Sequence, residues 1–475
     1  MITGNDLLAR IRTGEPMTTR EQLMLILQLG TPSILAQLST IVMEYIDAAM
    51  VGSLGANAAA SIGLVSTSSW LVAGLCSAAA TGFSVQVAHR IGAGHKAEAR
   101  NVLRQSMLVL LVFSLALMIV GCAISGVLPQ WLGGTPAINH DASVYFFIFS
   151  LVMPVWQFSC LASSMLRCSG NMLIPSLFNV LMCVFDVFFN FLFIFPSRVV
   201  SLFGLQFYMP GAGLGVAGAA IGSVLAYITA TLPMLWYLFF RSPELRLNHS
   251  YGRFRIRRHT LVRALHISLP MGCEHIVMCG AQIMTTVIVA PLGVFAIAAN
   301  SFAITAESLC YMPGYGIGDA ATTLVGQSIG ARRRDLTRSF AHITVGVGML
   351  VMTFMGIIMY VAAPLMMNIM TPVPEIRELG VMALRIEAYA EPMFAASIVA
   401  YGVFVGAGDT LRPACMNLGS IWAVRLSLAA LLAPRYGLKG VWIAMCIELC
   451  FRGFIFLSRL HWGKWLDKAY NSMSK

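Results

Sequence analysis

Gly170-Asn171-Met172-Leu173-Ile174-Pro175 returns 238 residues later as Gly408-Asp409-Thr410-Leu411-Arg412-Pro413. The same offset joins Pro32 to Pro270 and Pro154 to Pro392. It also joins Leu54-Gly55-Ala56 to Leu292-Gly293-Val294, and Ile91-Gly92-Ala93 to Ile329-Gly330-Ala331. Further on, Gly215 and Gly218 return as Gly437 and Gly440 at a spacing of 222, the connection before them being shorter in the second copy. Chance does not hold one offset over about 140 residues, so the chain is two copies of one unit.

What that unit is follows from the residues between the repeated marks. Of 475 residues, 58% are hydrophobic and only 11% charged, against roughly 25% charged in an average soluble domain. Such a chain cannot cover a soluble globule, which excludes an ordinary cytosolic enzyme and a disordered protein. At about 20 apolar residues per crossing, the sequence holds twelve spans. They fall near 24–49, 58–81, 106–128, 144–165, 173–195, 216–240, 263–289, 296–320, 341–366, 381–405, 413–433 and 438–460. The expected fold is an all-α, multi-pass integral membrane protein of twelve transmembrane helices in two six-helix bundles. An even number of spans gives both copies one orientation, related by an axis along the membrane normal, as in transporters that place a site between two halves. The expected organisation is a lead at 1–23, bundles at 24–240 and 263–460, a basic linker at 241–262 and a tail at 461–475.

The net charge of +11 reads as loop charge bias rather than nucleic-acid binding. Of the 31 Lys and Arg, Arg198, Arg377, Arg435 and Lys439 fall on one side and Arg385, Arg425 and Arg452 within spans. The remaining 24 lie on the side of the two termini, which places both termini in the cytoplasm. The first 23 residues carry Asp6, Arg10, Arg12, Glu15, Arg20 and Glu21 and no apolar run of a signal peptide. Eleven cysteines without a Cys-x-x-Cys predict neither a metal centre nor a disulfide framework. The glycine-rich stretch at 211–218 has no following Lys-Ser/Thr, so no nucleotide site is expected. No catalytic set is visible, and an enzyme is not expected.

Ionisable groups inside a bilayer are costly and mark function by default. Glu44 and Asp47 on span one share a face at i,i+3, beyond Pro32, whose missing hydrogen bond predicts a bend. Asp186 and Asn190 on span five share a face at i,i+4 among Phe185, Phe188, Phe189 and Phe191. Glu274 follows Pro270 by a turn on span seven. Glu307 lies on span eight, Glu387 and Glu391 on span ten, Glu448 on span twelve, and Asp319 near the end of span eight. Too few in-span bases exist to neutralise these acids, so a proton or a cation is the expected partner. The plainer readings stay open: Asp47 as an interfacial carboxylate reaching water, Asp186–Asn190 as a helix-packing pair, Arg425 as a structural partner of one acid. At an offset of 238 the mates of Asp47 and Asp186 are Thr285 and Val424, so the acids are not duplicated and the halves are expected to do different jobs.

Together these features resemble the multidrug and toxic compound extrusion (MATE) family, from about residue 20 to 465. The motifs are Asp47-Ala-Ala-Met-Val-Gly-Ser-Leu-Gly55, Gln86-Val-Ala-His-Arg-Ile-Gly-Ala93, Gly215-Val-Ala-Gly-Ala-Ala-Ile-Gly222, Gly318-Asp-Ala-Ala-Thr-Thr-Leu-Val-Gly-Gln-Ser-Ile-Gly-Ala331, Gly406-Ala-Gly-Asp-Thr410 and Gly440-Val-Trp-Ile-Ala444. The resemblance implies a V-shaped pair of six-helix lobes and alternating access. It implies an antiporter exporting amphipathic, cationic drugs in exchange for H+ or Na+, with no other cofactor. Asp47 matches the acid that takes the coupling ion and Pro32 the bending proline. Asp186 and Asn190 match a polar pair that the family more often has in the reverse order, Asn-x-x-x-Asp. Glu274 and Glu391 are the nearest matches to acids used in one branch; Glu44 and Glu307 are expected at the substrate cavity. Any bound Na+ is expected at Asp47, Asp186 and Asn190. A monomer in a bacterial inner membrane is expected, with the lipid bilayer and small-molecule substrates as partners. The alternative is a flippase for a lipid-linked precursor, which needs a cationic cavity to hold a pyrophosphate; the in-span charges are mostly acids.

Overall fold

A computed structural model describes residues 4–247 and 254–473; Arg253 and Lys475 of the basic count lie outside them. The first unit comprises α1 (Gly4–Thr13), α2 (Thr19–Gly52), α3 (Ala56–Gly92), α4 (Lys96–Ile124), α5 (Leu128–Trp131), α6 (Pro136–Leu151), α7 (Met153–Cys168) and α8 (Leu173–Ile194). A hairpin of β1 (Pro196–Leu202) and β2 (Leu205–Ala212) precedes α9 (Val216–Trp236). The second unit runs through α10 (Arg258–Val289), α11 (Val294–Gly330), α12 (Arg334–Met370), α13 (Pro374–Ala388), α14 (Glu391–Gly406), α15 (Leu411–Gly419), α16 (Ser427–Tyr436), α17 (Leu438–Trp462) and α18 (Trp465–Met473). Ten described helical stretches are long and apolar enough to cross a membrane, and twelve spans result when two bent pairs each count as one.

Those pairs are spans four and ten. α6 meets α7 at 52° and α13 meets α14 at 60°. Each break sits just before a repeated proline, Pro154 and Pro392, in the first turn of the second helix. A proline there gives up an N–H that would have no partner anyway, while it stops the preceding helix. Pro32 behaves differently: α2 runs through it without a break. The spans expected at 144–165 and 381–405 are each such a bent pair, and the bend expected at Pro32 does not interrupt span one.

The repeat is written in the backbone as well. Gly55 and Gly293 carry φ of 119° and 105° at the start of α3 and α11. Gly170 and Gly408 carry 96° and 78°, and Gly215 and Gly437 carry 61° and 63°. Gly94 (φ 79°) has as its mate Arg332 (φ 57°), a side chain in the left-handed region that favours glycine.

The two lobes meet in the halves of α2, α3, α10 and α11 nearer the termini. α3 and α11 cross with no room for a Cβ: one on Gly92 would overlap the Gln327 carbonyl, and one on Gly330 would overlap the His89 carbonyl. Gly92 and Gly330 are repeat mates, as are His89 and Gln327, so the crossing obeys the pseudo-two-fold. Gly316 packs likewise on the backbone of Ile34. At the opposite end of α11, Val294 and Phe295 are exposed.

The lead is not a free tail. Leu7, Leu8 and Ile11 of α1 are buried with Leu25 and Met172 of the first lobe and Leu324, Leu336 and Phe340 of the second. Arg12 pairs with Glu244 at 2.6 Å, and Arg333 donates to the carbonyls of Arg10 and Glu15 at 3.0 and 2.8 Å. The tail forms α18, whose Trp465 and Leu466 are buried against Phe404 and Phe456.

Candidate functional site

In the first lobe, α2 and α8 bring Asp47, Asp186 and Asn190 together. The Asn190 Nδ2 group donates to Asp47 Oδ1 at 2.9 Å and to Asp186 Oδ2 at 3.1 Å. Asp186 and Asn190 are buried and Asp47 half-buried. One neutral amide thus sits between two carboxylates. α9 closes the site through Gly222, where a Cβ would overlap Asn190 Oδ1. The reversed order of the span-five pair still places the amide between the acids. Glu44, one turn earlier on α2, is exposed.

Between the lobes lies a cavity of about 390 Å³, faced by Trp70, Glu274, His275, Tyr315, Asp319 and Tyr401 among others. Glu274 is held there by Tyr401 Oη–H at 2.6 Å and by Asn417 Nδ2 at 2.7 Å. His275 meets Trp70 edge-on at 5.7 Å between ring centres. At the cavity's terminal-side end, Arg167 of the first lobe pairs with Asp319 of the second at 2.8 Å, and Ser33 Oγ donates to the same carboxylate at 3.0 Å.

Sequence reading missed Tyr401, Asn417 and this inter-lobe pair. One signal was available for Asn417. It follows Glu274 by 143 residues, and Asn190 follows Asp47 by 143. The repeat mates of Glu274 and Asn417 are Ala36 and Asn179, and Asn179 Nδ2 donates to the Ala36 carbonyl at 3.0 Å. The acid–amide contact therefore does recur in the second half, displaced by 11 residues, three turns or about 16 Å along the helix axis. Comparing residues only at an offset of 238 hides it.

The other acids separate into two groups. Glu448 takes three hydrogen-bonding neighbours: Arg425 Nε at 2.9 Å, Arg452 Nε at 2.8 Å and Ser420 Oγ at 2.6 Å. Arg425 is thus a structural partner. Glu307 and Glu391 lie with Glu387 in the interior of the second lobe, and neither Glu44 nor Glu307 faces the central cavity.

Two six-helix lobes with a bent fourth span each and a cavity between them define a membrane transporter fold. A multidrug resistance MATE family transporter of the MOP superfamily, solved in an outward-facing conformation, matches with a TM-score of 0.86 at 19% identity, covering 98% of both chains. A MOP superfamily transporter from Pyrococcus furiosus matches at 0.85 and 19%, again over 98% of each. The family profile MatE matches residues 32–192 and 270–431, and this chain belongs to that family of efflux transporters. Among curated relatives, a probable multidrug resistance protein NorM of Thermotoga maritima is 26% identical over 428 residues, 89% of each chain. The one of Pseudomonas aeruginosa is 28% identical over 439 residues, 89% of this chain and 85% of its own. The multidrug resistance protein MdtK of Yersinia pestis is 23% identical over 450 residues, 92% of this chain and 94% of its own.

Proposed function

We propose that this protein is an antiporter that exports amphipathic organic cations in exchange for H+ or Na+, from a bacterial inner membrane with both termini in the cytoplasm. The observation that carries the reading is the single amide of Asn190 between the carboxylates of Asp47 and Asp186. With the amide neutral and both carboxylates ionised, that set carries two negative charges and no positive one, and a proton or a cation offsets them. A substrate cation competes for the same negative charge, so loading the coupling ion releases it through its differential affinity for the two charge states.

The lobe contacts fit the state in which exchange with the outside occurs. They lie toward the terminal-side end, and the relative solved facing outward supports this assignment. The Glu274 carboxylate and the aromatic walls of the central cavity suit a flat cationic guest. The flippase reading loses its support here. Arg167 and Arg452 face the cavity, but Arg167 is paired with Asp319 and Arg452 with Glu448.

The test is ethidium efflux from preloaded, de-energised cells after an imposed pH or sodium gradient, comparing wild type with Asp47→Asn. Efflux that follows one gradient and stops in the variant at normal membrane levels supports the proposal and names the ion. Normal efflux by the variant refutes the coupling role of Asp47. A wild type that moves no dye under either gradient refutes broad cation export.

A further inference from the structure

Of the three in-span arginines, Arg425 and Arg452 pair with Glu448, whereas Arg385 of α13 has no acid partner among the described residues. Its Nε group donates to the Tyr360 carbonyl of α12 at 3.3 Å, and its guanidinium lies over the Tyr360 ring at 5.1 Å from the centre. Tyr389, which is exposed, meets the same ring edge-on at 5.9 Å. From Arg385 a groove of about 680 Å³ runs between α12 and α13, lined by Leu365, Val381 and Met382. Arg377 stands in the same groove, two turns nearer the start of α13, about 12 Å along the axis. It donates to Asn368 Oδ1 at 2.8 Å and to the Pro372 carbonyl, and its Nε is buried without a partner among the described residues. Glu378 also faces the groove but pairs with neither arginine. Two cations against one acid leave the groove positive.

The level of this groove in the bilayer follows from α12. About 20 residues cross the hydrocarbon; counted from Arg338, the last charged residue of α12, they end near Tyr360. Tyr360 and Tyr389 therefore stand where interfacial aromatic residues collect, and Arg385 lies at the depth of lipid phosphates in the leaflet opposite the termini. On the hydrocarbon side of Tyr360, Leu350, Phe354 and Ile357 form an exposed apolar stripe on α12. The lobe does not need an arginine here. The repeat mates of Arg385 and Tyr389 in the first lobe are Phe147 and Leu151, both exposed. An arginine that faces lipid without an acid is costly unless an anion reaches it.

We propose that the groove between α12 and α13 binds one anionic phospholipid of the phosphatidylglycerol type, its phosphate held by Arg385. A guanidinium offers a phosphate parallel N–H donors, and the Arg385 terminal nitrogens are free to supply them. The headgroup then extends toward Arg377, whose cation adds to the attraction, and its hydroxyls can donate to the Glu378 carboxylate. The acyl chains run the other way, along Leu350, Phe354 and Ile357. A choline headgroup offers Glu378 no hydroxyl and brings no net negative charge, so the site discriminates by headgroup. The lipid would brace α13 against α12 beside the bend of span ten.

The experiment is native mass spectrometry of the purified full-length protein in detergent, titrated separately with phosphatidylglycerol, phosphatidylethanolamine and phosphatidylcholine. The expected result is one phosphatidylglycerol retained per chain at concentrations where the other two lipids are not. In Arg385→Gln the half-saturating concentration should rise at least ten-fold. Arg198→Gln, on the hairpin of the first lobe and on the same side of the membrane, should leave it unchanged. Should Arg385→Gln fail to fold, Leu365→Trp takes its place: Leu365 is exposed at the groove, so a larger side chain fills the groove without entering the core, and the same ten-fold loss is expected. Equal retention of all three lipids, preference for either zwitterionic lipid, a loss in Arg198→Gln as large as in Arg385→Gln, or unchanged binding in both Arg385→Gln and Leu365→Trp overturns the proposal.

Discussion

Gly92 and Gly330 stand 238 residues apart and make the same contact in mirror roles, each lying against a backbone carbonyl of the opposing helix, Gln327 and His89. The lobes seal through this reciprocal crossing of α3 and α11. An added methyl on either glycine meets backbone, which cannot move aside like a flexible side chain. Gly92→Ala and Gly330→Ala are expected to act alike, prising the terminal-side seam open. Spin-label distances across that seam should lengthen in both, and efflux should fall at least ten-fold at normal expression. A normal seam in either variant would contradict the crossing.

Asn190 acts through its N–H2 group, so the shape of the side chain alone should not suffice. Asn190→Leu is expected to cut coupled efflux by at least ten-fold. Gly222→Ala should do the same from a neighbouring helix, because its methyl displaces Asn190 Oδ1. The check is gradient-driven dye efflux normalised to membrane protein. An active Asn190→Leu would show that the amide is packing only.

Glu448 neutralises two buried or half-buried arginines. Removing one partner of such a network leaves uncompensated charge, at a cost of about 3–5 kcal/mol. Glu448→Gln should therefore lower the unfolding temperature and the yield sharply, whereas Glu387→Gln, with no arginine partner, should not destabilise the lobe. Thermal unfolding of the two purified variants distinguishes these outcomes.

Glu244 lies outside the spans and ties α1 to α4, pairing with Arg12 of α1 at 2.6 Å and with Lys96 of α4 at 3.0 Å. Its burial opposes ionisation, but the two cations outweigh burial and hold its carboxyl below the usual glutamate range. A depressed carboxyl contributes stability above its unfolded pKa and loses it as pH falls through the folded one. The clasp on α1 should therefore be full at neutral pH and fail only as the pH falls below the usual glutamate range. Glu244→Gln should release α1 at pH 7. Protease cutting after Arg10 or Arg12 reads this directly: slow in wild type at neutral pH, fast in the variant.

Arg332 holds a left-handed backbone where its repeat mate is Gly94. Arg332→Gly should remove roughly 1 kcal/mol of strain and raise the unfolding temperature slightly. A fall would mean that the arginine side chain contributes more than the conformation costs.

Much was legible in the sequence because it is written locally or at a fixed offset. Apolar run lengths mark the spans, and the recurrence at 238 marks the two bundles. Spacings of three or four residues put Asp47 beside Glu44 and Asp186 beside Asn190 on single helix faces. Which of those acids meets a partner depends on how separate helices approach, and that has no local signature. The approach of α2 to α8 hands one amide to both Asp47 and Asp186. The packing of α10 beside α15 and α14 gives Glu274 an amide and a phenol. One turn of α17 gives Glu448 Arg452, and the segment between α15 and α16 brings Arg425 to it, while the bend of span ten leaves Glu387 and Glu391 with no arginine. Hydropathy and periodicity report the bilayer and the helix, which each residue feels through its own neighbours in the chain; charge compensation is settled only between segments, by the tertiary packing.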